Sequence, residues 1–142
     1  ENNIRMISNL RNSCTRLANT LIEEGKADSA LKVLDKCMKI IPHERVPYNY
    51  WSIGVAEAYY KLNKIETANK IIEKYSATLF DELRYYLSLR GEYMEWTRME
   101  QQRSGYAIQQ LIQIVKTYNQ EELQKSLEQE LNDLVSMAKG AT

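Results

Sequence analysis

Chain breakers are scarce: two prolines and five glycines in 142 residues leave little to interrupt regular structure, and long helices need few interruptions. Cysteine and histidine are scarcer, at two and one. A disulfide scaffold, most zinc sites and a histidine-based proton relay are therefore poorly supplied. The glycines are isolated from one another, so no phosphate-cradling loop can be built from them. No apolar run approaches the ~18 residues of a membrane span, and no basic-then-apolar leader opens the chain. Nineteen basic residues meet nineteen acidic ones, so no net field draws the chain to nucleic acid or an anionic membrane. What remains, 44% hydrophobic and 27% charged, has the balance of one folded domain spanning residues 1–142. The opening Glu1-Asn2-Asn3, without a methionine, reads as a fragment or a processed product.

Val, Thr and Phe are few, while Leu, Ile, Glu, Lys and Gln abound, which favours helix over strand. The spacing agrees. Ile4, Ile7, Leu10, Cys14, Leu17 and Leu21 advance in steps of three and four, predicting one apolar stripe on a first helix. Gly25 can close it in the left-handed conformation. Asp28 is placed to cap a second helix carrying Ala30, Leu34, Cys37 and Ile41, which Pro42 stops. Pro47 suits the first position of a third helix through Trp51, Val55, Tyr59 and Leu62, turning near Asn63. A fourth runs from about Glu66 to Tyr86. Gly91 interrupts before a fifth helix, expected to continue from Trp96 to Tyr118. Asn119 with Glu122 three residues on resembles a capping box for a last helix through Leu127 and Leu134. The expectation is an all-α chain of six or seven helices joined by tight turns.

Leu17-Ala18, Leu21, Gly25, Ala30, Leu34, Cys37 and Pro42 form a frame that recurs as Val55-Ala56, Tyr59, Asn63, Ala68, Ile72 and Tyr75. These offsets resemble the tetratricopeptide repeat, a helical hairpin of about 34 residues in which a small residue lets two antiparallel helices approach. Ala30 and Ala68 lie thirty-eight apart, so the second unit follows a longer loop. The resemblance implies two units over residues 11–80, stacked as a short right-handed solenoid. In the remaining 81–142 the frame stops, since Gln124 occupies the small-alanine position. These residues are expected to form additional, capping helices.

A wider resemblance rests on the runs Arg16–Lys26, Val33–Met38, Val46–Asn49, Ala56–Lys61 and Tyr85–Leu89. They look like the C-terminal soluble region of a bacterial family of multi-spanning membrane proteins of unknown function, similar in their membrane part to protein O-mannosyltransferases. The resemblance implies that this chain is the tail of a longer, membrane-associated protein. It also implies a location on the periplasmic side, with the cytoplasm as the alternative.

No constellation for catalysis is present. His43 lies in a loop without a second histidine, where solvation accounts for it. Cys14 and Cys37 fall on apolar stripes and read as small buried hydrophobes, a disulfide or reactive thiol being the lesser reading. The acidic pairs Glu23-Glu24, Asp81-Glu82 and Glu121-Glu122 point ~100° apart on a helix, so neither partner of a pair converges on one substrate atom. No catalytic, cofactor or metal residues are assigned, and this fragment is expected to be no enzyme.

The aromatics carry more. Eleven of thirteen lie between Tyr48 and Trp96. Tyr59 and Tyr75 match core positions of the repeat. Tyr50 and Tyr60 match positions that in the repeat family face the concave groove, as do Asn12, Thr15, Asn19, Ile22, Glu23, Ile53, Glu57 and Lys61. Asn12, Asn19, Glu23, Tyr50, Glu57 and Tyr60 are therefore the candidate groove contacts, suited to an extended peptide. A glycan would suit the same residues, and packing against the later helices would also account for the tyrosines. A carboxylate clamp is not expected, because Thr15 stands where its lysine belongs and Gly54 where its second asparagine belongs. The expected function is a non-catalytic module that binds a protein segment or braces its own membrane protein. The alternatives are a glycan-binding accessory domain and a purely structural or oligomerisation domain.

Overall fold

A computed structural model describes residues 2–40 and 52–140. Seven helices and no strand occur among the described residues: α1 (Asn2–Glu23), α2 (Ala27–Ile40), α3 (Ser52–Lys61), α4 (Ile65–Ser88), α5 (Glu92–Trp96), α6 (Arg98–Thr117) and α7 (Glu121–Gly140). The chain divides into two compact units, residues 1–75 and 76–142, with α4 shared between them. Pro42, His43, Pro47, Tyr50 and Trp51 lie outside the described residues, and with them the expected stop of the second helix and start of the third.

One turn is used three times. Gly25, Asn63 and Asn119 have φ of 77°, 61° and 60°, the left-handed conformation that only glycine and asparagine adopt readily. At each, two backbone bonds close the preceding helix. The N–H groups of Gly25 and Lys26 donate to Ile22 and Leu21, those of Asn63 and Lys64 to Tyr60 and Tyr59, and those of Asn119 and Gln120 to Lys116 and Val115. This is the Schellman arrangement, which satisfies carbonyls the helix end would leave unpaired. The next helix begins two residues after the left-handed position in all three hairpins, α1–α2, α3–α4 and α6–α7.

Two expected caps are corrected by this geometry. Asp28 is the second residue of α2, not its cap; its carboxylate complements the helix dipole from within the first turn. Asn119 is no capping-box residue either, because its positive φ ends α6 and is incompatible with the extended backbone of an N-cap. The expected fifth helix is two, broken at Thr97. The Thr97 hydroxyl donates to the Tyr93 carbonyl at 3.1 Å, and Gln101 Nε2 donates to the Met94 carbonyl and to Thr97 Oγ1 at 3.0 and 3.1 Å. These local side-chain bonds compete with the helical ladder and hold the break. Gly105 sits inside an unbroken α6.

Within residues 1–75, α1 packs on α2 and on α3, and α2 also touches α3. Equivalent small residues recur at matching offsets in the two hairpins: Ala18 and Ala56 seven residues before the turn, Ala30 and Ala68 five after it, all fully buried. Leu34 and Ile72, nine after the turn, are fully buried as well. Tyr59 fills the large position before the second turn, and its hydroxyl donates to Asp35 Oδ1 at 2.8 Å. The buried line of α1 differs from the expected stripe. Arg11, Thr15 and Ala18 are buried, whereas Leu10 and Leu17 are 44% and 51% exposed.

Within residues 76–142 the core is built from larger side chains. Phe80 and Leu83 of α4, Ile108, Leu111 and Val115 of α6, and Leu127 and Leu134 of α7 are buried. The α4 portion of this unit is tied to α6 by Ser104 Oγ donating to Glu82 Oε2 at 3.5 Å, and to α7 by Arg84 with Glu130 at 3.3 Å. Arg84 also bonds Asp81 at 3.0 Å.

Candidate functional site

Asn12, Asn19 and Glu23 belong to α1 and Glu57 and Tyr60 to α3, and the two helices lie side by side in the first unit. The seam between them is set by Thr15 and Gly54. A β-carbon built on Gly54 would lie 2.9 Å from Thr15 Cγ2, closer than two carbons approach without something moving. Asn12 and Asn19 stand three residues before and four after Thr15, and Glu57 three after Gly54, so helical spacing sets them along this seam. Asn12, Asn19 and Glu57 are half-buried and Glu23 is exposed at the last turn of α1.

Asn19 Oδ1 is buried and has no hydrogen-bond partner among the described residues. A carboxamide oxygen in that state is an unsatisfied acceptor, and it meets a donor from elsewhere, such as a peptide N–H, only if the Asn19 side chain rotates outward. Glu57 pairs with Lys61 at 3.7 Å, one turn on, with about two-fifths of each side chain open to solvent. Such an exposed pair contributes little stability and yields readily to another partner. The arrangement offers two carboxamides, two carboxylates and one ammonium along one seam: hydrogen-bonding and charge, with no nucleophile beside a base.

Tyr60 is placed differently from the groove expectation. Its ring is 3% exposed, and its hydroxyl donates to Asn69 Oδ1 on α4. Burial, and then the charge of Glu73, push the phenol up to about 12. The reason lies in α3 itself, of whose ten residues seven are buried. A helix enclosed on nearly every side has no side left for a presented ring, and only Gly54, Glu57 and Lys61 escape burial. Tyr50 lies outside the described residues.

Cys14 and Cys37 are free thiols on facing helices of the first hairpin. Burial, a hydrogen bond with Cys14 and its charge push Cys37 up to about 12, against a smaller downward pull from the buried Arg11 guanidinium. Cys37 is therefore held as the neutral thiol, a packing residue rather than a nucleophile. Among the described residues no group of three or more His, Cys, Asp or Glu side chains could hold a metal ion, and no helix is long and apolar enough to cross a membrane.

The sequence pattern passed over the Thr15–Gly54 contact. Its signal was a glycine inside a helix, Gly54, where the first unit has Arg16 at the matching position. No known protein family, curated protein or solved structure matches the chain.

Proposed function

We propose that this chain is a non-catalytic, tetratricopeptide-like interaction module whose α1–α3 seam binds an extended protein segment. The observation that carries the reading is the shared register of the first two hairpins: Ala18 with Ala56, Ala30 with Ala68 and Leu34 with Ile72, each pair at one offset from a left-handed turn residue. Stacked hairpins of this kind expose one face of each first helix, and a rigid face bearing Asn12, Asn19, Glu23 and Glu57 suits a backbone rich in N–H and C=O groups. The contacts of α3 with both α1 and α2 support a solenoid arrangement. In the longer membrane protein that the resemblance implies, the bound segment is either another protein or part of the same chain. A glycan reading needs an open aromatic face, and Tyr60 offers none.

The test uses an Asn12→Ala/Asn19→Ala/Glu57→Gln variant beside the wild type as bait in native cell extract. All three positions are off the core, so helicity by circular dichroism should be unchanged. A partner held by the wild type and lost at least about tenfold by the variant supports the seam as the binding face. Equal capture by both refutes it.

A further inference from the structure

Among the described residues each unit leaves an apolar surface bare, and the two surfaces differ in shape. On α1, Met6, Leu10, Ser13 and Leu17 fall within about 60° of arc at ~100° per residue, and the three apolar members are 67%, 44% and 51% exposed. Leu10 and Leu17 belong to the stripe that the sequence marks for burial, yet the chain buries the neighbouring line of Arg11, Thr15 and Ala18 instead. In the second unit, Leu83 and Leu87 of α4, Gly105 and Tyr106 of α6 and Leu131 and Val135 of α7 line a groove of about 600 Å³, a volume that accepts a row of large side chains.

Gly105 lies within this groove, well inside α6, where glycine weakens a helix relative to alanine. Nothing comes within 4 Å of the place its β-carbon would take. No contact of its own unit requires the glycine, but a neighbouring helix seated in the groove would use the space. Tyr106 and Val135 beside it stay 59% and 42% exposed.

Charge selects the occupant. Residues 1–75 carry twelve basic and nine acidic side chains, net +3, and residues 76–142 carry seven and ten, net −3. Contacts of like with like would bring equal charges together, whereas the first unit of one copy against the second unit of another pairs opposite ones. Stacked helical repeats also require polar outer faces on their terminal helices to stay apart, and here α1 and α7 both present apolar ones.

We infer that the chain binds a second copy of itself head to tail, the Met6–Leu10–Leu17 stripe of α1 seated in the α4–α6–α7 groove of the other molecule. The contact is heterologous, so each molecule keeps one free stripe and one free groove. It uses a different side of α1 from Asn12 and Asn19, and stands or falls separately from the proposed seam.

Two single-face variants decide it. Leu10→Glu/Leu17→Glu spoils the stripe, and Tyr106→Glu/Val135→Glu spoils the groove rim; all four positions are exposed, and circular dichroism checks the fold of each variant. Sedimentation of the wild type from about 10 µM to about 1 mM should show a mass rising with concentration, less steeply in high salt. Each variant alone should stay at the monomer mass across that range. Mixed in equal amounts, they should form one-to-one pairs and nothing larger, because the mixture holds one good stripe and one good groove. A wild type that stays monomeric overturns the inference and leaves the surfaces to another protein or another segment of the longer chain. Variants that associate as the wild type does, or that fail to pair when mixed, overturn it in favour of other faces or of a like-with-like contact.

Discussion

The first and last hairpins end their first helices in the same way and fill the space between helices differently. Gly25 and Asn119 take the same backbone conformation and close the same pair of hydrogen bonds. Five residues later the first hairpin has a fully buried Ala30, while the last has a half-buried Gln124. Where alanine allows close approach, the first unit makes contacts over small residues; the last relies on Leu111, Val115, Leu127 and Leu134. A turn is specified by one left-handed residue and two carbonyls. A repeat also requires volumes to match at fixed distances from that turn, and shared turns alone do not make shared repeats.

The strongest way to break this comparison is to empty equivalent core positions. Leu34→Ala and Ile72→Ala should each lose about 2–5 kcal/mol, as fully buried aliphatics do when truncated. If the two positions are true counterparts, their urea midpoints should fall together. A cost at one and near-neutrality at the other would dissolve the repeat. At the matching offset in the last hairpin stands Glu128, half-buried, so Glu128→Ala should be close to neutral.

Alkaline pH probes the first unit by a different route. Cys37 and Tyr60, both in the first unit, have folded values raised from 9.0 and 10.0 to about 12. A raised folded value means that the unfolded chain releases its proton first as pH rises. The contribution is complete below the unfolded values and is lost as pH climbs from 9 through 12. Stability should therefore fall above pH 9, by at most about 1.4 kcal/mol per pH unit for each group. Cys37→Ala should flatten the decline between pH 9 and 10, before the phenol begins to contribute. Urea titrations at half-unit intervals read this directly, and an unchanged slope in the variant would remove Cys37 as its source.

The turns should respond alike in both units. Asn63→Ala and Asn119→Ala each put a β-branch-free but non-glycine residue into left-handed backbone, at a cost of about 1 kcal/mol. Asn→Gly at either position should be neutral or mildly stabilising. Matching losses in thermal melts would confirm one turn used twice. A silent Asn119→Ala would leave the last hairpin held by its core alone.

How much of this was legible depended on whether the signal was local. The turn residues Gly25 and Asn63 read correctly because a left-handed position draws on a very short menu of residues. Asn119 misled because asparagine serves two ends: it closes helices in left-handed backbone and opens them in extended backbone, and a glutamate three residues on does not distinguish the two. The break at Thr97 was missed because a threonine hydroxyl bonding back to Tyr93 leaves no trace in apolar spacing. Tyr60 was assigned by repeat position, but enclosure of α3 is a property of its neighbours and not of its own sequence. Leu10 and Leu17 are the instructive case. Periodicity reports which surface seeks burial, not whether this chain supplies the cover.

The smallest expected effect sharpens the comparison most, because it concerns two helix-interior glycines with different reasons for being there. Gly54 is required by its own unit, since Thr15 occupies the space beside it. Gly105 has open space, so Gly105→Ala in dilute solution should stabilise the chain by about 0.5–1 kcal/mol, the gain of replacing a helix-interior glycine. The same methyl group projects into the groove, and Gly105→Leu should narrow it further. A seated α1 would then be excluded, and association at high concentration should weaken while the melting temperature at low concentration stays level or rises. Stability and association moving in opposite directions is the signature of a glycine kept for a partner. If both move together, Gly105 serves its own fold and the difference between the two glycines disappears.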